Sequence, residues 1–186
     1  MATRSSFRLI IGFATFALAM AVAYCSTHLQ AQEQVVPTVP VAALEQLLPA
    51  PAGWTKVEAK TDQVVISPDC SHPVAAVMYT QGEMRLKISL ADSGRHPNSL
   101  MALAPMIVLL PEGSSERIPP ATKIERLKRD GAQVAERWNE QKGNGEITML
   151  VGGRFVASVE GTNVDGLYAL RAILAAIDLK RLAELK

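Results

Sequence analysis

The segment Asp69-Cys70-Ser71-His72, with Asp92 and His96 further along the chain, gathers the side chains best suited to chemistry. A thiolate, imidazoles and carboxylates together make a ligand set for Zn²⁺ or Cu⁺, and the metal reading rests on Cys70, His72 and His96. The same residues offer a second chemistry. An imidazole beside a thiol lowers its pKa, and residues two apart on a strand share a face, so Cys70 could serve as a nucleophile with His72 as its base. Against both stands a plainer reading, a polar loop between strands that carries one inert thiol. Cys-x-His is not a spacing of structural metal motifs, and no third orienting residue or oxyanion element accompanies the pair. Arg154, directly after Gly152-Gly153, either presents a guanidinium at a hairpin tip to an anion or partner, or is a solvated strand end. Trp54 and Trp138 would suit stacking on a ligand, but each begins or ends an apolar alternation, which favours the core. Elsewhere there is no nucleotide loop, paired metal motif or nucleophile signature, so no catalytic residue and no cofactor are expected.

The elements that must position these residues follow from periodicity. Residues 32–40 mix Gln, Glu, Val and Pro without period and predict a flexible linker. Val41, Leu44, Leu47 and Leu48 share a helical stripe that ends at Pro49 and Pro51. Alternation in Trp54 to Glu58 and in Leu86 to Leu90 predicts strands with one wet face, with further strands at Val64 to Ile66 and Val74 to Thr80. Gln81-Gly82-Glu83 turns Val74 to Thr80 back onto Met84 to Leu90. Ser99 is a plausible cap for a helix over Leu100 to Leu110 that Pro105 must kink or interrupt. Pro111 to Pro120 reads as loop, and the charged run Lys123 to Arg129 as the wet face of a strand.

The last third is the clearest. Ile124 to Leu127 and Val134 to Trp138 flank Asp130-Gly131, while Glu146 to Val151 and Arg154 to Glu160 flank Gly152-Gly153, dipeptides that suit tight hairpins. Leu167, Leu170, Ile173, Leu174 and Ile177 then predict an amphipathic helix from about Asp165 to Ala176, followed by a shorter one over Leu179 to Leu185. Runs of strands separated by helices predict an α+β class: a single domain, residues 41–186, with a twisted antiparallel sheet of about six to eight strands packed by amphipathic helices.

At the N-terminus, Arg4 and Arg8 precede an uncharged apolar run from Leu9 to Cys25 and then Leu29-Gln30-Ala31, the layout of a secretory signal peptide over residues 1–31. The run is shorter than the roughly 20 residues of a spanning helix, which favours removal after Ala31 over retention as an anchor. Lipid modification of Cys25 is a third reading, disfavoured by Tyr24. The chain of 186 residues carries a formal charge of +1; residues 1–31 hold two of its arginines and none of its acids, so their loss leaves −1. A near-neutral domain gives no electrostatic case for nucleic acid. Cleavage also removes Cys25, one of two cysteines, and leaves Cys70 alone.

The stretch Gly145 to Val156, with Val159-Glu160-Gly161 and the Ala-Ile-Asp-Leu ending at Leu179, resembles a group of uncharacterised bacterial exported proteins, as do Leu47-Leu48-Pro49 and Gly53-Trp54 near the mature N-terminus. The element order is more loosely similar to small exported domains related to photosystem oxygen-evolving subunits. The resemblance spans core and turn residues, and so implies a fold rather than an activity. The expectation is a non-catalytic accessory or binding module in the periplasm or cell envelope. Its partner would be an unknown protein or small molecule there, and its membrane contact would run only through the signal segment. The alternative is a metal-binding or thiol-dependent protein centred on Cys70 and His72. Intact mass of the protein recovered after export is expected to lack residues 1–31; retention of their mass would mark an anchor.

Overall fold

Leu86, Ile88 and Leu90 alternate with Lys87 and Ser89, and in a computed structural model all three leucine and isoleucine side chains are buried while the residues between them are half-buried. The structure describes residues 36–67, 70–118, 121–129 and 131–185, without the side chains of 59–71. The signal segment and its cleavage point lie outside the described residues, as does Asp69. Residues 35–186 form one compact unit. Its elements run α1 (Val41–Glu45), β1 (Thr55–Ser67), β2 (Cys70–Gln81), β3 (Met84–Asp92), α2 (Pro97–Leu103) and α3 (Pro105–Leu109), then β4 (Ser115–Ile118), β5 (Thr122–Arg129), β6 (Ala132–Asn139), β7 (Asn144–Val151), β8 (Phe155–Thr162), α4 (Leu167–Ala175) and α5 (Leu179–Glu184).

The strands form an eight-stranded sheet in the order β1-β2-β3-β8-β7-β6-β5-β4, antiparallel at every step. Two meanders, β1–β3 and β4–β8, therefore meet at the β3–β8 pair, and the α2–α3 connection carries the chain between them. One sheet face packs Ile88, Leu90, Ile147 and Val159 against Leu44 of α1, Leu170 and Leu174 of α4 and Leu182 of α5. The opposite face is covered over Ala91, Ala135, Leu150 and Val156 by Ala104 and Ile107 of the α2–α3 pair. Gly145 and Gly161 stand opposite one another on β7 and β8. An added Cβ at Gly161 would meet Leu170 at 2.7 Å, so the two glycines make the seat into which α4 settles.

The hairpins lie at the turn dipeptides, with Gly131, Gly152 and Gly153 at positive φ, but the β7–β8 turn takes in Arg154 as a third residue and β8 starts at Phe155. Pro105 divides the predicted helix in two: Ala104 leaves helical geometry (φ −140°, ψ 54°), as the residue before a proline is pushed to do. Ser99 is not the cap. It lies inside α2, whose N-cap is His96. Strand β1 is continuous through the two short runs expected there, and a register shift between Lys56 and Glu58 leaves Val57 60% exposed instead of half-buried. Ser115–Ile118, expected as loop, pairs with β5 as an edge strand. Trp54 and Trp138 both pack against the main core.

The larger departures concern the linker and Arg154. Of residues 32–40, those described are held against the sheet: Val36 N–H donates to Gly94 O at 3.1 Å, Val39 N–H donates to Asp92 Oδ2 at 2.8 Å, and Val39 is buried. Arg154 is neither a solvated strand end nor an exposed anion contact, for it is 6% exposed. Its Nε donates to Asp92 Oδ1 at 2.9 Å and its Nη2 to Asp92 Oδ2 at 2.7 Å and to Pro37 O at 2.8 Å. Gly94 N–H completes the shell by donating to Asp92 Oδ1 at 2.9 Å, and the guanidinium lies 4.8 Å from the centre of the Phe155 ring. Asp92 and Phe155 are register partners, so the bidentate pair clamps the end of the β3–β8 junction together with the incoming chain. Removing one partner of a buried pair strands the other charge, which costs about 3–5 kcal/mol. Arg154→Met is accordingly expected to lose about that much stability in urea unfolding, with part of it returned in the Arg154→Met/Asp92→Asn double variant; a loss below about 1 kcal/mol would contradict the clamp.

Candidate functional site

His72 stands on β2, on the face that carries the α2–α3 pair, and is 4% exposed. Its Nε2 is 2.5 Å from Ser99 Oγ and its Nδ1 is 3.2 Å from the Asp92 carbonyl oxygen. Nε2 thus fastens α2 to the sheet, while Nδ1 ties the ring to β3. Burial lowers the His72 pKa from its ordinary 6.5 and the nearby His96 adds to that, while the Asp92 carbonyl and carboxylate oppose it. The sequence offers Cys70, His72 and His96 as metal ligands, with Asp92 in the same cluster. In the fold the Asp92 carboxylate is taken by Arg154, and His96 Nδ1 is buried without a hydrogen-bond partner among the described residues. The Cys70 thiol lies outside the described side chains. Among the described residues no group of three His, Cys, Asp or Glu is placed to hold a metal ion.

Sequence reasoning did not single out Glu136. It is 1% exposed on β6, beneath α4, and takes a fork from Arg171: Nε to Oε1 at 2.9 Å and Nη2 to Oε2 at 2.5 Å. Arg129 Nη2 also donates to Oε1, at 3.0 Å. Burial alone would raise this carboxyl's pKa; the two guanidiniums outweigh it and the net direction is down. On the opposite face, Glu146 and Glu160 are register partners on β7 and β8. Each turns to its own cation, Glu146 to Arg137 and Glu160 to Lys87, both at 2.6 Å. The β7–β8 turn spans Gly152, Gly153 and Arg154, which places the two glutamates each seven residues from its central Gly153. The recess beside them, about 300 Å³, is polar, and its Thr122 and Asn139 are joined by a hydrogen bond of 2.8 Å.

A larger groove of about 720 Å³ opens on the helical side, between α5 and the turns that link β5 to β6 and β7 to β8. Ala132, Met149, Val151, Leu179 and Ala183 give it an apolar lining, and Arg129 and Lys180 stand among the lining residues as its cations. Each wall has a visible support. Arg154 closes the β7–β8 turn and is pinned to Asp92; Arg129 is held by Glu136; α5 begins at Asp178, whose carboxylate accepts from Arg181 N–H at 2.9 Å. A recess of this size with an apolar floor and few polar groups has the character of a small-molecule site.

No protein family model and no curated protein matches the chain. Among solved structures, the chain has a likeness to LpqN of Mycobacterium tuberculosis, described as involved in cell envelope biogenesis. Identity is 14%, over 70% of this chain and 78% of that one, with a TM-score of 0.22, a level at which two folds are not equated. Among the described residues no helix is long and apolar enough to cross a membrane.

The two depressed pKa values set a pH dependence. The stability that depends on neutral His72 is complete above 6.5 and is lost as pH falls below it, because the unfolded chain then binds the proton more readily. The contribution of Glu136 is complete above 4.5 and is lost at lower pH, as the folded carboxyl protonates. The urea midpoint is expected to fall between pH 7 and 5.5, and His72→Gln to flatten that interval while lowering the midpoint at pH 7. A wild-type midpoint that holds or rises over the interval would contradict the assignment.

Proposed function

We propose that this protein is an exported accessory module of the bacterial cell envelope that acts by binding a small molecule rather than by catalysis, with the groove beside α5 as its binding site. Supporting export is the N-terminal layout of Arg4, Arg8 and the apolar run to Cys25. The observation that carries the binding reading is the groove itself, about 720 Å³ and lined mainly by side chains without reactive groups. Among the described residues, several with chemistry to offer are held in buried contacts: Asp92 with Arg154 and Glu136 with Arg129 and Arg171 beside the groove, and His72 with Ser99 on the opposite face. Fixed walls around a recess favour ligand retention, because little ordering remains to be done on binding.

The reading is tested on protein recovered from the envelope fraction of cells expressing the full chain. Native mass spectrometry is expected to show a low-mass increment that disappears on denaturation. Recovery in the cytosol with no such increment would contradict it.

A further inference from the structure

The groove's two cations and its hydrophobic floor are suited to one kind of occupant. We propose that it takes the hydrocarbon chain of a single-chain anionic amphiphile, a free fatty acid, with the carboxylate directed to Arg129 and Lys180; this rests on the reading of the groove as the binding site. The floor offers Ala132, Met149, Val151 and Leu179 to a chain, and burial of each methylene there is worth roughly fourfold in affinity.

The charge argument starts at Glu136. Two carboxylates, Glu136 and its register partner Glu125, face three cations, Arg129, Arg171 and Lys123, so the cluster carries one net positive charge. Arg129 gives only Nη2 to Glu136, and its side chain is 37% exposed. Its Nε and Nη1 make no hydrogen bond to a described residue. Lys180, across the groove on α5, is exposed and has no ion pair among the described residues. Asp130, next to Arg129, lies outside the described residues. The two cations thus come from different walls of one recess. An anionic head group is the complement they lack.

The sheet also discriminates between an acyl chain and a peptide. Strands β6 and β7 are hydrogen-bonded on both sides, β6 to β5 and β7, and β7 to β6 and β8. No free strand edge faces the groove, so a peptide laid along it would leave its amides without partners over an apolar floor, an expensive arrangement. A hydrocarbon chain has no such groups. At Gly152 and Gly153 an added Cβ would meet nothing within 4 Å, so the groove stays open along that turn and a chain longer than the floor can run out past it.

The test is isothermal titration of the full chain with dodecanoate below its micelle concentration, beside decanoate, acetate and dodecyltrimethylammonium. Dodecanoate is expected to bind one to one, about fifteenfold more tightly than decanoate and at least tenfold more tightly than dodecyltrimethylammonium, with acetate not detected. Lys180→Gln is expected to weaken dodecanoate several-fold. Ala183→Trp, which fills the groove from an exposed helix position, is expected to abolish binding while the urea midpoint stays at the wild-type value. If dodecyltrimethylammonium binds as tightly as dodecanoate and Ala183→Trp abolishes both, the anionic ligand is wrong and the groove remains the site. If none of the amphiphiles binds, or if natively folded Ala183→Trp binds dodecanoate unchanged, the groove reading itself falls, and the fatty-acid proposal with it.

Discussion

The junction between the two halves of this fold depends on one buried pair, Asp92 with Arg154. The sheet is two meanders laid edge to edge, and the edge they share, β3 with β8, joins segments that are far apart in the chain. Hydrophobic burial presses the two together but does not by itself fix their register. A bidentate contact between two almost fully buried residues at the end of that seam does, because a slip by one residue would leave a desolvated guanidinium and a desolvated carboxylate apart. The same carboxylate receives the Val39 and Gly94 amides, and the same guanidinium reaches Pro37 O, so the chain's approach to the domain is set by the pair as well.

The other buried polar groups follow a related logic on other elements. Glu136 fastens α4 to β6 through Arg171 and draws Arg129 inward, while His72 and Ser99 fasten α2 to the opposite face. Each helix layer is therefore joined to the sheet by a few polar contacts set among apolar ones, which give direction to packing that burial alone leaves degenerate. This division leaves the groove beside α5 with an apolar floor and cations on two of its walls.

Much of this was legible in the sequence, and what was not has physical reasons. The hairpins were readable because Asp130-Gly131 and Gly152-Gly153 can take the backbone angles a tight turn demands, and a hairpin's register follows from its turn. The break at Pro105 was readable because proline's effect is local. The β3–β8 seam was not, since nothing short-range connects Asp92 to Arg154, and an arginine after a glycine turn looks like a surface residue until its distant partner is known. Residues 36–40 lack a period of their own, and what orders them is an external carboxylate. The same holds for Glu136, which sits in a strand that otherwise alternates normally. Of the residues picked out for chemistry, His72 and Asp92 do come together, but through Asp92's carbonyl, and their remaining groups are turned to Ser99 and Arg154.

The most direct test of this account is amide hydrogen exchange in Arg154→Met compared with the wild type. Loss of the guanidinium should release the Asp92 carboxylate and the segment it holds. The Val39 and Gly94 amides, bonded to Asp92 in the intact protein, should lose protection by orders of magnitude, while amides of the β5–β6 ladder keep theirs. Unchanged protection at Val39 and Gly94, or an equal loss at every amide of the sheet, would contradict the claim that this pair locks the incoming chain and the seam between the two meanders.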